Sequence, residues 1–436
     1  MKRVLSGILI LLLLASCLPQ NMQVPQSPLL RTLERKSGLI AYVGLDGNLY
    51  VSDQGGVKKV AYTDDATLGD PGAENFLYYQ YPTWSRDSQH LAFVGITGSG
   101  NTASGTNLLI ANIEEGTARK VFSSERERPF YLYWSPDNTT LSYISTTASG
   151  QTMMLQSLPL EGGERTVLDT GSPFYWSWAP DGRTMIVHTG NEALSNPVHL
   201  SFLQTGDGVT EDRLDAEPAS FQAPAWSPDG EHILLSRVND QEENEIILTD
   251  SRGGFKRSLG TYDQTAAFVW SNDSELVAYI DGQTPMAAGV LGTLHVYDIT
   301  TNEDFFQDDN VIAAFWSPNN RKLAYFKPLL IDPATGEPAR PDTENPSLYF
   351  VLYMLDVINA ESKQLFQFQP TNPFASVIPY FDQYHQSTTI WSPDNNNLVL
   401  SFLAEDGAPS IAIVAASGQL QPRLLDQGYI AFWSWK

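Results

Sequence analysis

The sequence predicts an all-β chain folded as a single β-propeller, and three observations predict it. The first is a repeat. Trp226-Ser227-Pro228-Asp229-Gly230 recurs with variations from Trp84, Trp134, Trp178, Trp270, Trp316 and Trp391, giving seven full copies. The second is a spacing. Seven residues after each of these tryptophans stands an apolar residue (Leu91, Leu141, Met185, Ile233, Val277, Leu323 or Leu398) that opens a short β-like run. The third is the pair of chain ends. Phe432-Trp433-Ser434-Trp435-Lys436 is an eighth Trp-Ser with nothing after it, and Gly38-Leu39-Ile40-Ala41-Tyr42 looks like the run that elsewhere follows the motif.

Residues 1–16 read as a secretory signal. Lys2 and Arg3 form a basic start, Val4 to Leu14 is almost wholly apolar, and Ala15-Ser16 supplies small residues at the cut. The apolar run is too short to span a bilayer, which takes about 20 residues. Cys17 follows directly and is the single cysteine of the chain. The arrangement resembles a bacterial lipobox, and the resemblance implies lipidation of Cys17. Acyl chains add ~0.8 kcal/mol per buried CH₂, so several chains hold a protein on a membrane. Residues 17–36 read as a lipidated flexible tether, rich in Pro, Gln and Asn and without a sustained period. The net charge of −24 becomes −26 when Lys2 and Arg3 leave with the signal. Such a surface repels a phosphate backbone, so nucleic acid is not an expected partner.

Residues 37–436 hold the repeat. A strand ends at Trp, Pro sets φ, and Asp or Asn with Gly satisfies a tight turn before the next strand. Units of mostly 42 to 50 residues suit four-stranded antiparallel blades, which bury one another's faces in a ring. The tryptophans then fill the space between blades. The pattern resembles the TolB family and the related WD-like repeats. In that family the Trp-bearing strand is innermost, so the resemblance implies that the last strand joins the amino-terminal blade and leaves no open edge. The expectation is eight four-stranded blades. TolB itself has six and an extra amino-terminal domain that has no counterpart here, so its role does not transfer.

Catalytic constellations are not evident. There is no Gly-x-Ser-x-Gly elbow, no His-Glu-x-x-His and no cysteine pair. His90 and His232 share one repeat position. His188, His199 and His295 are expected in strands of separate blades, and His385 in a long connection. Asp64, Asp65 and Asp70, like Asp240, Glu242, Glu243 and Glu245, read as solvated acidic loops without dedicated calcium spacing. No cofactor and no metal is expected.

Loop length then becomes informative. Two long connections are expected on one propeller face. One runs from about Thr63 to Gln80 and carries Tyr78 and Tyr79, with Tyr81 just beyond. The other runs from about Pro370 to Thr389 and carries Phe374, Tyr380, Tyr384 and His385. Phe130 and Tyr131 extend the aromatic character round the rim. Aromatic side chains on loops suit a protein, peptide or glycan ligand, or else they plug the channel mouth. A third irregularity is an insertion from Lys327 to Pro346. The expected function is that of a non-enzymatic binding or scaffold protein, lipid-anchored in the cell envelope outside the cytoplasm. The alternative is an extracytoplasmic polysaccharide hydrolase or lyase with a site over the channel.

Overall fold

The computed structural model describes residues 38–436 apart from 69–74, 101, 147–149, 151, 173, 192–195, 207, 220–221 and 286–289. The expected signal, Cys17, the tether and Asp70 lie outside the described residues. Among those described, no helix is long and apolar enough to cross a membrane.

Antiparallel sheets follow one another along the chain as a β-propeller, each strand pairing with its neighbours in sequence. The seven-residue spacing has a direct geometric meaning. It places Trp84 opposite Leu91, Trp134 opposite Leu141, Trp178 opposite Met185 and Trp226 opposite Ile233. It does the same for Trp270 with Val277, Trp316 with Leu323 and Trp391 with Leu398. Each turn between them is self-sufficient. In the first copy, Ser85 Oγ donates to Asp87 Oδ1 and accepts from His90 N, while Asp87 Oδ1 also accepts from Gln89 N. The fourth residue after each Trp has a positive φ: Ser88, Asn138, Gly182, Gly230, Ser274, Asn320 and Asn395. Gly182 is also needed for space, because a Cβ there would lie 2.9 Å from Asp137 Cγ.

Neighbouring sheets interlock through the same tryptophans. Trp134 Nε1 donates to Thr83 O, Trp270 to Ala225 O, Trp316 to Val269 O and Trp391 to Phe315 O. Every acceptor is the residue just before the motif Trp of the preceding copy. Trp84 closes the ring by donating to Phe432 O across 348 positions. Burying such a ring is worth much more than its single hydrogen bond, and truncating one to Ala costs ~3–5 kcal/mol. Trp178 makes the link through Ser142 Oγ, which donates in turn to Tyr133 O. Trp226 is the exception, since its Nε1 is buried with no partner in the protein.

The expected count of eight blades is corrected. Hydrogen bonding organises the strands into seven sheets, six of four strands and one of six. The reason lies in the strand Arg423–Trp433. Its first half pairs with Pro409–Ala415, from Ile413 with Arg423 to Ser410 with Gln427. Its second half pairs with Leu39–Gly44, from Gly44 with Gly428 to Ile40 with Trp433. One continuous strand thus fuses the first and last strands of the chain into one sheet, and Trp391 adds to it only an isolated bridge to Leu398.

Three smaller expectations also change. Phe76 to Tyr81 are not in a loop but open the strand Phe76–Trp84, because their apolar rings pack between sheets. Lys327 to Ile331 continue the strand Lys322–Ile331, which pairs in full register with Ser347–Asp356, so the insertion is a lengthened hairpin. His188 and His199 are not in separate blades. They sit on adjacent strands of one sheet, where Thr189 pairs with His199.

Candidate functional site: the plugged channel

The connection before Trp391 is helical and fills the centre of the ring. It comprises α1 (Asn372–Val377), a 3₁₀ turn at Ile378–Tyr380 and α2 (Phe381–Ser387). Thr371 caps α1, its side chain accepting from Phe374 N, and Pro373 pre-sets φ in the first turn. Phe374, Val377, Ile378 and Phe381 recur at i, i+3, i+4 and i+7 and are all but completely buried. That spacing is a helix signal which the β-dominated reading passed over. Phe374 packs on Phe326 and Phe368, and Phe381 on Phe315.

The polar side of α2 is bonded to strands and turns of several sheets of the ring. Gln383 Nε2 donates to Trp176 O at 2.9 Å, and Tyr131 Oη donates to Gln383 O at 2.7 Å. Asp382 Oδ2 accepts from Ala223 N at 3.3 Å, and His385 Nε2 accepts from Trp316 N at 3.4 Å. Gln386 O accepts from Arg86 Nη2 at 2.5 Å. The segment is therefore a plug keyed into the wall rather than a free loop.

The plug sorts the candidate aromatic residues into two groups. Phe374 is fully buried, Tyr131 almost so, and Tyr79 is buried with its hydroxyl donating to Asp65 at 2.6 Å and its ring edge-on to Phe93. These three serve packing. Tyr78, Tyr81, Phe130, Tyr380, Tyr384 and His385 stay partly exposed. Tyr384 meets Tyr131 edge-on at 5.0 Å, packs like Phe130 against the buried cluster around Trp176, and lies within electrostatic range of Tyr81 and Tyr380. Tyr175, also partly exposed, is in range of Tyr380, Tyr384 and Asp382. Tyr78 neighbours Tyr81 and stacks on Phe76. Segments some 300 residues apart in sequence thus form one tyrosine-rich patch around the plug.

Beneath the plug lies a cavity of about 230 Å³. Asp382, His385 and Gln386 roof it, Trp178, Trp226 and Trp270 wall it, and Arg86, Pro136, Pro180, Pro228 and Asn272 ring its mouth. The last five all occupy the third position of the repeated motif. Burial moves two titratable groups here. It raises the Asp382 carboxyl to about 7 against the pull of the amides of Ala223 and Gln383. It lowers His385 to about 3, with the Arg86 charge adding to the effect. Asp382 is the single carboxylate among the described residues lining this cavity. Sequence reasoning missed both Asp382 and Arg86. A signal for Arg86 was present, since it stands where four of the other six copies of the motif have Pro between two conserved-looking turn residues (Ser or Ala, then Asp) and a fifth has Pro before Asn.

Three other histidines have partners of their own away from the plug. His188 hydrogen-bonds Gln222 O, His199 Glu211 and His295 Asp304. Among the described residues no group of three or more His, Cys, Asp or Glu side chains is placed to hold a metal ion. Of the acidic loop residues, Glu245 is buried in an ion pair with Arg237 at 2.7 Å.

No protein-family model matches the chain, and no curated protein sequence does. Solved structures do. The dihydro-heme d1 dehydrogenase NirN, in complex with DHE, aligns with a TM-score of 0.52 at 13% identity over 95% of this chain and 77% of that one. An oligogalacturonate lyase from Vibrio parahaemolyticus aligns with a TM-score of 0.48 at 14% identity, over 87% and 98%. TolB from Acinetobacter baumannii aligns with a TM-score of 0.35 at 12% identity, over 83% of each chain. Likeness at these identities concerns the fold alone, and a shared propeller does not carry an activity with it.

Proposed function

We propose that this chain is a non-enzymatic binding or scaffold protein of the bacterial cell envelope. It is held to a membrane by lipid on Cys17 and engages an envelope protein, peptide or glycan through the tyrosine-rich patch. One observation carries the reading. Tyr81 and Tyr175, from two separate strands, and Tyr380 and Tyr384, from the plug itself, remain partly exposed and come within electrostatic range of one another, and the plug is hydrogen-bonded into the wall. Tyrosine combines a large apolar face with a polar tip at little conformational cost, which suits it to recognition. A rigid support lowers the entropy lost on binding.

The test is capture from envelope extracts by the purified protein, beside a variant carrying Tyr380→Ala and Tyr384→Ala. A partner retained by the parent and lost by the folded variant supports the proposal; equal capture by both refutes the patch. For the anchor, Cys17→Ser is expected to move the protein from the membrane to the soluble fraction. The enzymatic alternative rests on Asp382, a carboxyl near neutrality that shares a cavity with His385. It predicts turnover of a polysaccharide that Asp382→Asn abolishes.

A further inference from the structure

Three hairpins that follow one another round the ring carry the most exposed apolar side chains of the molecule. Residues 357–360 join Ser347–Asp356 to Glu361–Phe368, and residues 416–422 join Pro409–Ala415 to Arg423–Trp433. Residues 54–58 join Leu49–Asp53 to Lys59–Ala61. The last two hairpins belong to the six-stranded sheet and the first to the sheet before it. Asp356 lies opposite Lys322, Ala415 opposite Asn397 and Asp53 opposite Leu39, which puts all three on the face of the Trp-Ser turns. Ile358 is 73% exposed and Val57 72%, more than any other large apolar side chain among the described residues, and Leu420 is 55% exposed. A hairpin tip asks for Gly, Asn, Asp or Ser, so the turns themselves do not explain Val, Ile and Leu. The hairpins also touch one another's sheets. Lys363 Nζ donates to Ser417 O, and a Cβ on Gly56 would lie 3.5 Å from Leu425 Cδ1.

The charge of this arc departs from that of the chain. Residues 54–58, 357–360 and 416–422 contain no Asp or Glu, although the chain has 50. Lys58 adjoins Val57, and Lys322 and Lys363 lie within electrostatic range of each other at the base of the Ile358 hairpin. Asp356, also at that base, accepts from the amides of Ile358 and Asn359. Farther round the same face, residues 113–116 carry Glu114 and Glu115, and residues 160–165 carry Glu161 and Glu164. Single exposed apolar residues need no explanation, but a run of them on adjoining tips, with lysines beside them, marks an interaction surface. Lysine extends an apolar stem to a charged end, which matches the boundary between acyl chains and phosphates.

The chain enters the fold on this same arc. A Cβ on Gly38 would lie 2.8 Å from Pro393 Cδ, in the Trp391 turn, and Leu39 N donates to Ser434 Oγ at 2.8 Å. Asn397 Nδ2, just after that turn, donates to Gln54 Oε1 at the base of the Val57 hairpin. We propose that this arc is the membrane-facing surface of the propeller, with Val57, Ile358 and Leu420 seated in the headgroup boundary of the bilayer and Lys58, Lys322 and Lys363 at its phosphates. The proposal rests on the lipid anchor at Cys17 proposed above. Three side chains hold a free protein only weakly. A tether of residues 17–36 reaches no more than about 70 Å even fully extended, and such confinement makes weak contacts sufficient. The orientation turns the tyrosine patch away from the bilayer.

With Cys17 lipidated the chain has no free thiol, so one introduced cysteine is a unique labelling site. Ile358→Cys is compared with Leu330→Cys, each carrying an environment-sensitive fluorophore. Leu330 is 48% exposed and lies at the far end of the same strand pair, about 30 Å away. The lipidated full chain is placed in vesicles of phosphatidylethanolamine and phosphatidylglycerol that contain lipid spin-labelled on the upper acyl chain. A side chain seated about 5–10 Å into the boundary is reached by that quencher, so quenching at position 358 is expected to be at least about threefold that at 330. Val57→Cys and Leu420→Cys are expected to behave like Ile358→Cys. Equal quenching at 358 and 330 in a chain that sediments with the vesicles overturns the proposal, leaves the anchor standing, and assigns the arc to a protein partner. A chain that stays in solution overturns both. A signal at 358 that follows protein concentration rather than lipid identifies a second copy of the chain as the occupant and also overturns it.

Discussion

Asp382 offers a quantitative test of how the plug is held. Its carboxyl is buried, with no cation in ion-pair range among the described residues, and accepts from two backbone amides. Burial outweighs those bonds and raises it from its ordinary 3.8 to about 7. The folded state therefore binds this proton more tightly than the unfolded chain does. The stabilisation is fully present below about pH 4 and is lost as pH rises to about 7; beyond that both states are ionised and the slope vanishes. Each pH unit crossed is worth about 1.4 kcal/mol, so the whole window amounts to something on the order of 4 kcal/mol. Asp382→Asn removes the titrating group, but its NH₂ cannot accept, so one of the two backbone amides loses its acceptor. Chemical denaturation of parent and variant at intervals from pH 4 to 8 is the assay. The variant is expected to be less stable than the parent near pH 4, by about 1–3 kcal/mol for the unsatisfied amide, and the difference is expected to move in its favour by about 4 kcal/mol up to pH 7 and to stay constant above. His188 and His385 act with the opposite sign, because burial lowers them to about 4 and about 3, so their stabilisation is lost as pH falls below 6.5. They are present in both proteins and cancel in the difference. A gap that does not change with pH would refute the reasoning.

Other predictions probe the parts on which the site rests. Gly182→Ala places a side chain at φ +68° and against Asp137, and is expected to cost at least about 1–2 kcal/mol of unfolding free energy. Gln383→Ala leaves the buried Trp176 carbonyl without its donor from the plug; a loss of ~1–3 kcal/mol is expected, with faster amide exchange confined to residues 372–387. Ala431→Pro removes the N–H that donates to Ser401 Oγ within the closing strand, and a loss of ~3 kcal/mol or more is expected in the melting curve.

The repeat itself determined most of the fold. A Trp, a four-residue turn and an apolar residue seven positions on are local facts, and local hydrogen bonds suffice to build that hairpin wherever the sequence occurs. The closing strand was likewise legible, since Leu39–Gly44 reads as the piece missing after Trp433. The number of sheets was not. It depends on whether Arg423–Trp433 breaks between its two neighbours or runs on through both, and nothing in those eleven residues forces a break. The site was divided in the same way. Its aromatic residues could be named from sequence, but not which of them would face solvent. Tyr79 and Tyr384 look alike in a string of letters; one is bound to Asp65 in the core, and the other borders the patch over the plug. The plug helices were half-visible in the spacing of Phe374, Val377, Ile378 and Phe381. The cavity they roof was beyond reach, because Arg86, Trp226 and Asp382 share it only once the ring has closed, and burial and proximity across a ring are properties of the assembled whole.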